Sequence, residues 1–171
     1  FDIQKAQWFN QQYLKAKSNE LLAEYLLESL KKERVECSFD KAVKISTIMK
    51  ERITFPKDIW EQGKFLFFAP TTFDSSVADK KWNEEAVRVV SAYRDELTML
   101  STLDAVNAKA TLETVTAKLN IGSGKIMQAL RLSITGAGAG PDLMMVMEII
   151  GKEEAVNRLS YALQTLKIKV A

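Results

Sequence analysis

The sequence predicts an all-α protein built as two consecutive helical bundle subdomains. Three observations predict it. Apolar residues recur at three- and four-residue spacing along nearly the whole chain. No segment alternates apolar and polar residues cleanly enough for a strand. Only three prolines and seven glycines interrupt the 171 residues. Pro70-Thr71-Thr72 breaks the helical pattern most clearly, so a boundary there divides residues 1–69 from residues 70–171.

The elements follow in order. Asp2 is an N-cap residue, and Ala6, Phe9 and Tyr13 then share one helix face. Ser18 caps a second helix with Leu22, Tyr25, Leu26 and Leu30 inward. A third runs from about Asp40 through Ile45, Ile48 and Met49 to near Ile53. Pro56 suits the first turn of a fourth, whose end is the apolar run Phe65–Phe68. Asn83 opens the clearest amphipathic helix, with Ala86, Val90, Tyr93, Leu97 and Leu100 on its stripe. Thr111 is placed to cap a helix ending near Leu119, although Thr114 three residues on denies it a full capping box. Gly122 or Ser123 starts the next, which stops at Gly136. Pro141 stands at the first position of another, and a last helix covers Glu153 to about Lys167.

Composition excludes several chemistries. The chain has no histidine and one cysteine, Cys37, so neither a Cys/His zinc site nor a Ser-His or Cys-His catalytic pair can be assembled. A lone cysteine forms no internal disulfide, which fits a reducing compartment. No apolar run approaches the roughly 18 residues of a membrane span. A formal charge of +2 is too small to mark a nucleic-acid binder, so such a function must rest on local surfaces. The first residue is Phe1 rather than methionine, which leads us to expect a piece of a longer polypeptide.

Two glycine-rich stretches imitate nucleotide-binding motifs. Gly136-Ala-Gly-Ala-Gly140 lacks the preceding strand that a dinucleotide fingerprint requires. Gly122-Ser-Gly-Lys125 has Leu119 where a phosphate loop needs glycine, and Ile126 where it needs Ser or Thr. Neither carries that chemistry. A helix stop accounts for Gly136 but not for the small residues after it.

The helix containing Gln128 is more informative. At about 100° per residue, Gly124, Gln128, Arg131 and Thr135 share a narrow sector, and Ile126, Met127, Leu130 and Ile134 fill a separate apolar arc. The first sector is rich in hydrogen-bond donors, with the planar guanidinium of Arg131 as its longest member. On spacing alone it is either a solvated face or a binding face. The glycine run that follows would let another backbone approach closely. A second basic stretch holds Lys41, Lys44, Lys50, Arg52, Lys57 and Lys64, interleaved with Glu51, Asp58 and Glu61. Trp60, Phe65, Phe67 and Phe68 nearby suit a core better than a stacking platform.

In order, Gln128-Ala-Leu-Arg131, Thr135-Gly136, Gly140-Pro141-Asp-Leu143, Gly151-Lys152-Glu153 and Arg158-Leu159 resemble the C-terminal signature of bacterial glutamyl-tRNA synthetases. Phe1-Asp2 with Lys5, Trp8-Phe9-Asn10 and Tyr13-Leu14 resembles the segment that follows the catalytic region in that family. Ile48-Met49-Lys50-Glu51-Arg52 and Trp60 through Phe67 are similar to its middle. The resemblance covers nearly the whole chain.

It implies an all-helical anticodon-binding region of the helical-cage type, with the anticodon loop of tRNA-Glu as partner. The class I catalytic signatures would lie upstream, so this stretch would not itself aminoacylate. ATP and Mg2+ would serve that missing catalytic domain, and no cofactor or metal is expected here. The parent enzyme would be a cytoplasmic, monomeric glutamate–tRNA ligase. Residue by residue, Arg52 resembles the position that reads the third anticodon base. Arg131 and Leu143 resemble positions near the first base, with Gly140 and Pro141 alongside and Gln128 and Thr135 on the same face. Glutamate anticodons end in C and glutamine anticodons in G. An unstacked C offers acceptors to a guanidinium, whereas G turns donors toward it. One such mismatch costs about 1–3 kcal/mol, or roughly ten- to a hundredfold.

Two positions depart from the family. Ala137-Gly138-Ala139 offers only backbone where a basic or hydroxyl side chain often follows Thr-Gly, and Met144 stands where an aromatic is common. A different class of function is a helical adaptor that binds protein through the 84–100 helix or the Met144-Met145-Met147 cluster.

Overall fold

In the computed structural model, which describes residues 2–169, ten α-helices and two short 3-10 turns make up the regular structure, with no strand among the described residues. The all-α expectation holds. Phe1, the first residue of the resemblance, lies outside the described residues. The contacts divide the chain after Phe67 into two compact units. No described helix is long and apolar enough to cross a membrane.

The first unit contains α1 (Ile3–Ala16), α2 (Asn19–Lys32), α3 (Phe39–Met49) and α4 (Asp58–Gly63). Asp2, Ser18 and Ser38 each cap a helix by accepting the backbone N–H three residues on. The core is the α2–α3 seam, with Leu22, Leu26, Leu30, Ile45 and Met49 all at most 2% exposed. Helix α1 turns a different face inward from the one its apolar spacing predicts. Leu14 is buried, while Phe9 and Tyr13 are 56% and 58% exposed. Its polar side chains do the docking. Asn10 donates to the carbonyl of Thr54, Gln11 donates to that of Glu51, and Lys15 pairs with Glu51 at 2.6 Å. Tyr25 is half-exposed as well.

Pro56 stands two residues ahead of α4 rather than in its first turn. The reason is Asp58, whose Oδ2 accepts from the backbone N–H groups of Thr54 and Phe55 at 2.9 and 2.8 Å and holds the chain in a turn there. The run Phe65–Phe68 closes as a 3-10 turn, Lys64–Leu66, in which only Leu66 is buried. Trp60 joins the core, but Phe68 is exposed.

The second unit contains α5 (Ser75–Lys81), α6 (Glu84–Met99), α7 (Ala105–Leu119), α8 (Ser123–Thr135), α9 (Leu143–Ile150) and α10 (Lys152–Thr165). Asn83 caps α6, and Ala86, Val90, Tyr93 and Leu97 are fully buried. Helix α6 is the centre of the unit and packs on α7, α8 and α10. The Tyr93 hydroxyl donates to the Ala108 carbonyl at 2.8 Å, and burial pushes its pKa far above the ordinary value, so it donates at every physiological pH. Tyr93→Phe should cost about 1 kcal/mol, the worth of one neutral buried hydrogen bond, as measured by urea denaturation.

Helix α7 starts two turns before Thr111. Its cap is Asp104, which forms a reciprocal capping box with Asn107. The shorter Asn107 side chain closes the ring that Glu or Gln closes in the usual box. Helix α5 had no apolar stripe to reveal it. Pro141 precedes α9 by two residues, and Asp142 is the cap that accepts from Met145.

Candidate nucleic-acid interface

Helix α8 separates its faces as the wheel predicts. Ile126, Leu130 and Ile134 are at most 2% exposed, Gly124 and Gln128 face solvent, and Arg131 and Thr135 are half-buried. Gly136 ends the helix in the left-handed region at φ 78°, and its N–H returns to the Leu132 carbonyl at 2.8 Å.

Beyond it the chain folds back so that Pro141 meets Arg131. The Arg131 Nη1 donates to the Pro141 carbonyl at 2.6 Å. A Cβ on Gly140 would lie 3.0 Å from the same nitrogen. A methyl at residue 140 would thus crowd the guanidinium and shift it by a few tenths of an ångström. The Thr135 hydroxyl bonds the Arg131 carbonyl at 2.9 Å and sits 3.3 Å from the Ala137 N–H, tying the helix end to the turn. Pro141 is buried, and Leu143 is 1% exposed. Leu143 thus anchors α9 in the core rather than presenting a contact face, because the first turn of that short helix points inward.

Two sets of contacts that the spacing did not reveal hold this turn. Arg158 of α10 is 1% exposed, donates from Nε to Glu154 at 2.7 Å, and donates from Nη1 to the Ile134 carbonyl at 3.0 Å. That carbonyl is among the last four of α8, which have no partner inside the helix. On the other side runs the segment 70–77. The Asp74 N–H donates to the Gly136 carbonyl at 2.8 Å. A Cβ on Gly136 would meet the Thr72 carbonyl oxygen at 2.6 Å, and one on Gly138 would meet Val77 Cγ2 at 2.6 Å. Close packing explains Gly138, which a helix stop left unexplained. The Val77 N–H, then the Ser76 hydroxyl and N–H, hold the Asp74 carboxylate below its ordinary pKa. Its capping contribution is therefore complete above the ordinary carboxylate range and is lost as pH falls through the lowered value.

In the other unit, Arg52 ends the 3-10 turn Lys50–Arg52 and is exposed, with the fully buried Ile53 anchoring the chain after it. The contacts of Asn10, Gln11, Lys15 and Asp58 described above all fall on residues 51–55 and fix the segment carrying Arg52. The rest of that basic stretch is partly engaged. Lys50 reaches the Lys17 carbonyl, and Lys41 and Lys64 lie over the rings of Phe67 and Trp60 at 5.3 and 5.5 Å.

The Met144-Met145-Met147 cluster of the adaptor reading is largely covered, with Met145 half-buried. Met147 is fully buried and Met144 is 8% exposed. Among the described residues no group of three or more Cys, Asp or Glu side chains could hold a metal ion.

The family described as "Anticodon binding domain" matches residues 7–163. A glutamate–tRNA ligase of Cytophaga hutchinsonii is 50% identical over 171 residues, covering 99% of this chain and 33% of that protein. One from Amoebophilus asiaticus is 39% identical over 166 residues, covering 97% and 32%. Among solved structures, the glutamate tRNA ligase of Elizabethkingia meningosepticum in complex with its amino acid superposes with a TM-score of 0.92 at 41% identity, over 98% of this chain and 33% of its own. The chain thus spans about a third of the length of these relatives. With a family match over most of its residues and the same helical fold in a relative of 41% identity, this chain belongs to the anticodon binding domain family.

Proposed function

We propose that this chain binds the anticodon loop of tRNA-Glu and supports its selection for glutamylation. The observation that carries this reading is the half-buried Arg131 guanidinium seated on the bare main chain of Gly140 and Pro141. A planar donor group held against a turn suits recognition of one splayed base edge, which is how single-stranded RNA is read. Arg131 reads the first base, with Gly140 and Pro141 beside it, Gln128 and Thr135 on the same helix face, and Leu143 beneath as support. Arg52 reads the third base and favours C over G by matching donors to acceptors.

On this reading aminoacylation, with its ATP and Mg2+, belongs to parts of a cytoplasmic, monomeric glutamate–tRNA ligase outside these 171 residues. The supporting facts are the family match and the named activity of the relatives.

The test compares binding of two anticodon stem-loop RNAs, one ending its anticodon in C and one in G, across a salt series. Preference for C and a steep loss of affinity with rising salt are expected. Arg52→Gln should erase about 1–3 kcal/mol of that preference. A C-over-G preference unchanged in this variant would remove Arg52 from the role. Salt-insensitive binding would argue against RNA as the ligand.

A further inference from the structure

The segment 70–77 lies against the turn that joins the donor-bearing end of α8 to Gly140. Three contacts key it there: the Asp74 N–H on the Gly136 carbonyl, the Thr72 carbonyl against Gly136, and Val77 against Gly138. Gly136 also faces Pro70 Cβ, but its left-handed φ of 78° strains any substitution there, so the Val77–Gly138 contact is the one whose size can be varied on both partners. A Cβ at residue 138 would fall 2.6 Å from Val77 Cγ2 and 3.2 Å from Cγ1. The first distance is below any real contact, and both atoms belong to a β-branched side chain with few rotamers to escape into. Val77 is half-buried on a helix whose N-terminus Asp74 caps through Ser76 and Val77. It can retreat only by leaving its rotamer or by moving α5.

From residue 138 the strain has a short path to the guanidinium. Two residues on, Gly140 sits 3.0 Å (by its absent Cβ) from Arg131 Nη1, and Pro141 accepts that nitrogen's hydrogen bond. Two residues back, Gly136 is already fixed by Thr72 and Asp74. A displacement at 138 is therefore directed toward 140 rather than absorbed behind it.

We propose that Val77 and Gly138 are a positioning pair for first-base recognition: Val77 sets the height of the 137–139 turn and thereby the seat of the Arg131 guanidinium on Gly140 and Pro141. The pair rests on the anticodon reading above. Neither residue touches the RNA in this scheme. Each acts through Arg131, and the fit between them, rather than the identity of either, is what matters.

The experiment measures the affinity of the 171-residue chain for anticodon stem-loop RNAs varied at the first base and, separately, at the third. Wild type, Gly138→Ala, Val77→Ala and the double variant are compared, with thermal melts alongside. Gly138→Ala should lower first-base preference by about tenfold, the size of one well-placed hydrogen bond to a charged donor, while the third-base preference stays. Val77→Ala should lower it by about two- to threefold, since it leaves a gap where the methyls supported the turn. In the double variant the new methyl fills that gap, and preference should return close to wild type. A loss of melting temperature alone, with preference intact in both single variants, overturns the pairing. So does a folded double variant that recovers no preference. Equal loss at both bases would also overturn it, since it would mean general weakening. A wild-type chain without any first-base preference would instead sink the anticodon reading itself.

Discussion

Arg131→Ala is expected to weaken binding of an RNA carrying the glutamate anticodon by about ten- to a hundredfold, with the loss concentrated at the first anticodon base. The magnitude follows from the seat of the side chain. Its guanidinium is half-buried and already oriented by the Pro141 carbonyl, so little further ordering is needed when a base arrives. The Pro141 carbonyl loses its donor, so a stability cost of about 1–3 kcal/mol is expected beside the binding loss and is measured separately by urea denaturation. Titrating stem-loops that differ only in the first base checks the claim. A uniform loss for every first base would recast Arg131 as a phosphate contact. Arg131→Lys should recover only part of the effect, because an ammonium keeps the charge but not the planar fork.

Gly136→Ala is expected to destabilise the C-terminal unit by about 3 kcal/mol or more, from two costs that add. A non-glycine residue in the left-handed region costs about 1–2 kcal/mol. The new Cβ would also sit 2.6 Å from the Thr72 carbonyl oxygen and 2.9 Å from Pro70 Cβ, forcing the segment away and stretching the Asp74 hydrogen bond. Gly124→Ala in the same helix should do the opposite. Nothing lies within 4 Å of its added Cβ, and a helical alanine gains roughly 0.5–1 kcal/mol over glycine. Chemical denaturation of the two variants should therefore move in opposite directions from wild type. Two destabilised variants, or two neutral ones, would refute the account of the turn.

Much of α8 is legible in the sequence. The apolar arc Ile126, Leu130 and Ile134 and the polar sector with Gln128 and Arg131 follow from one periodicity, and Gly136 announces its own stop. Helix α1 shows where periodicity misleads. Phe9 and Tyr13 form a regular apolar stripe, yet the helix is docked by Asn10, Gln11, Leu14 and Lys15. A stripe identifies a face suited to burial, but cannot say which neighbour covers it. Helix α5 escaped because seven residues with a polar cap carry no stripe at all.

Alone, the sequence determined the all-helical class, the caps Asp2, Ser18 and Asn83, the stop at Gly136, the donor-bearing face of α8 and, through the order of its motifs, the family. These are local properties, set by side-chain spacing and by the chemistry of helix ends, or patterns read along the chain. Tertiary structure decided that Leu143 is core, that Arg131 bonds Pro141, and that Gly136 and Gly138 are small because Thr72 and Val77 stand against them. Each joins residues separated along the chain, or depends on which neighbour covers a face. Excluded volume and hydrogen-bond geometry act only on atoms that the fold has already brought together.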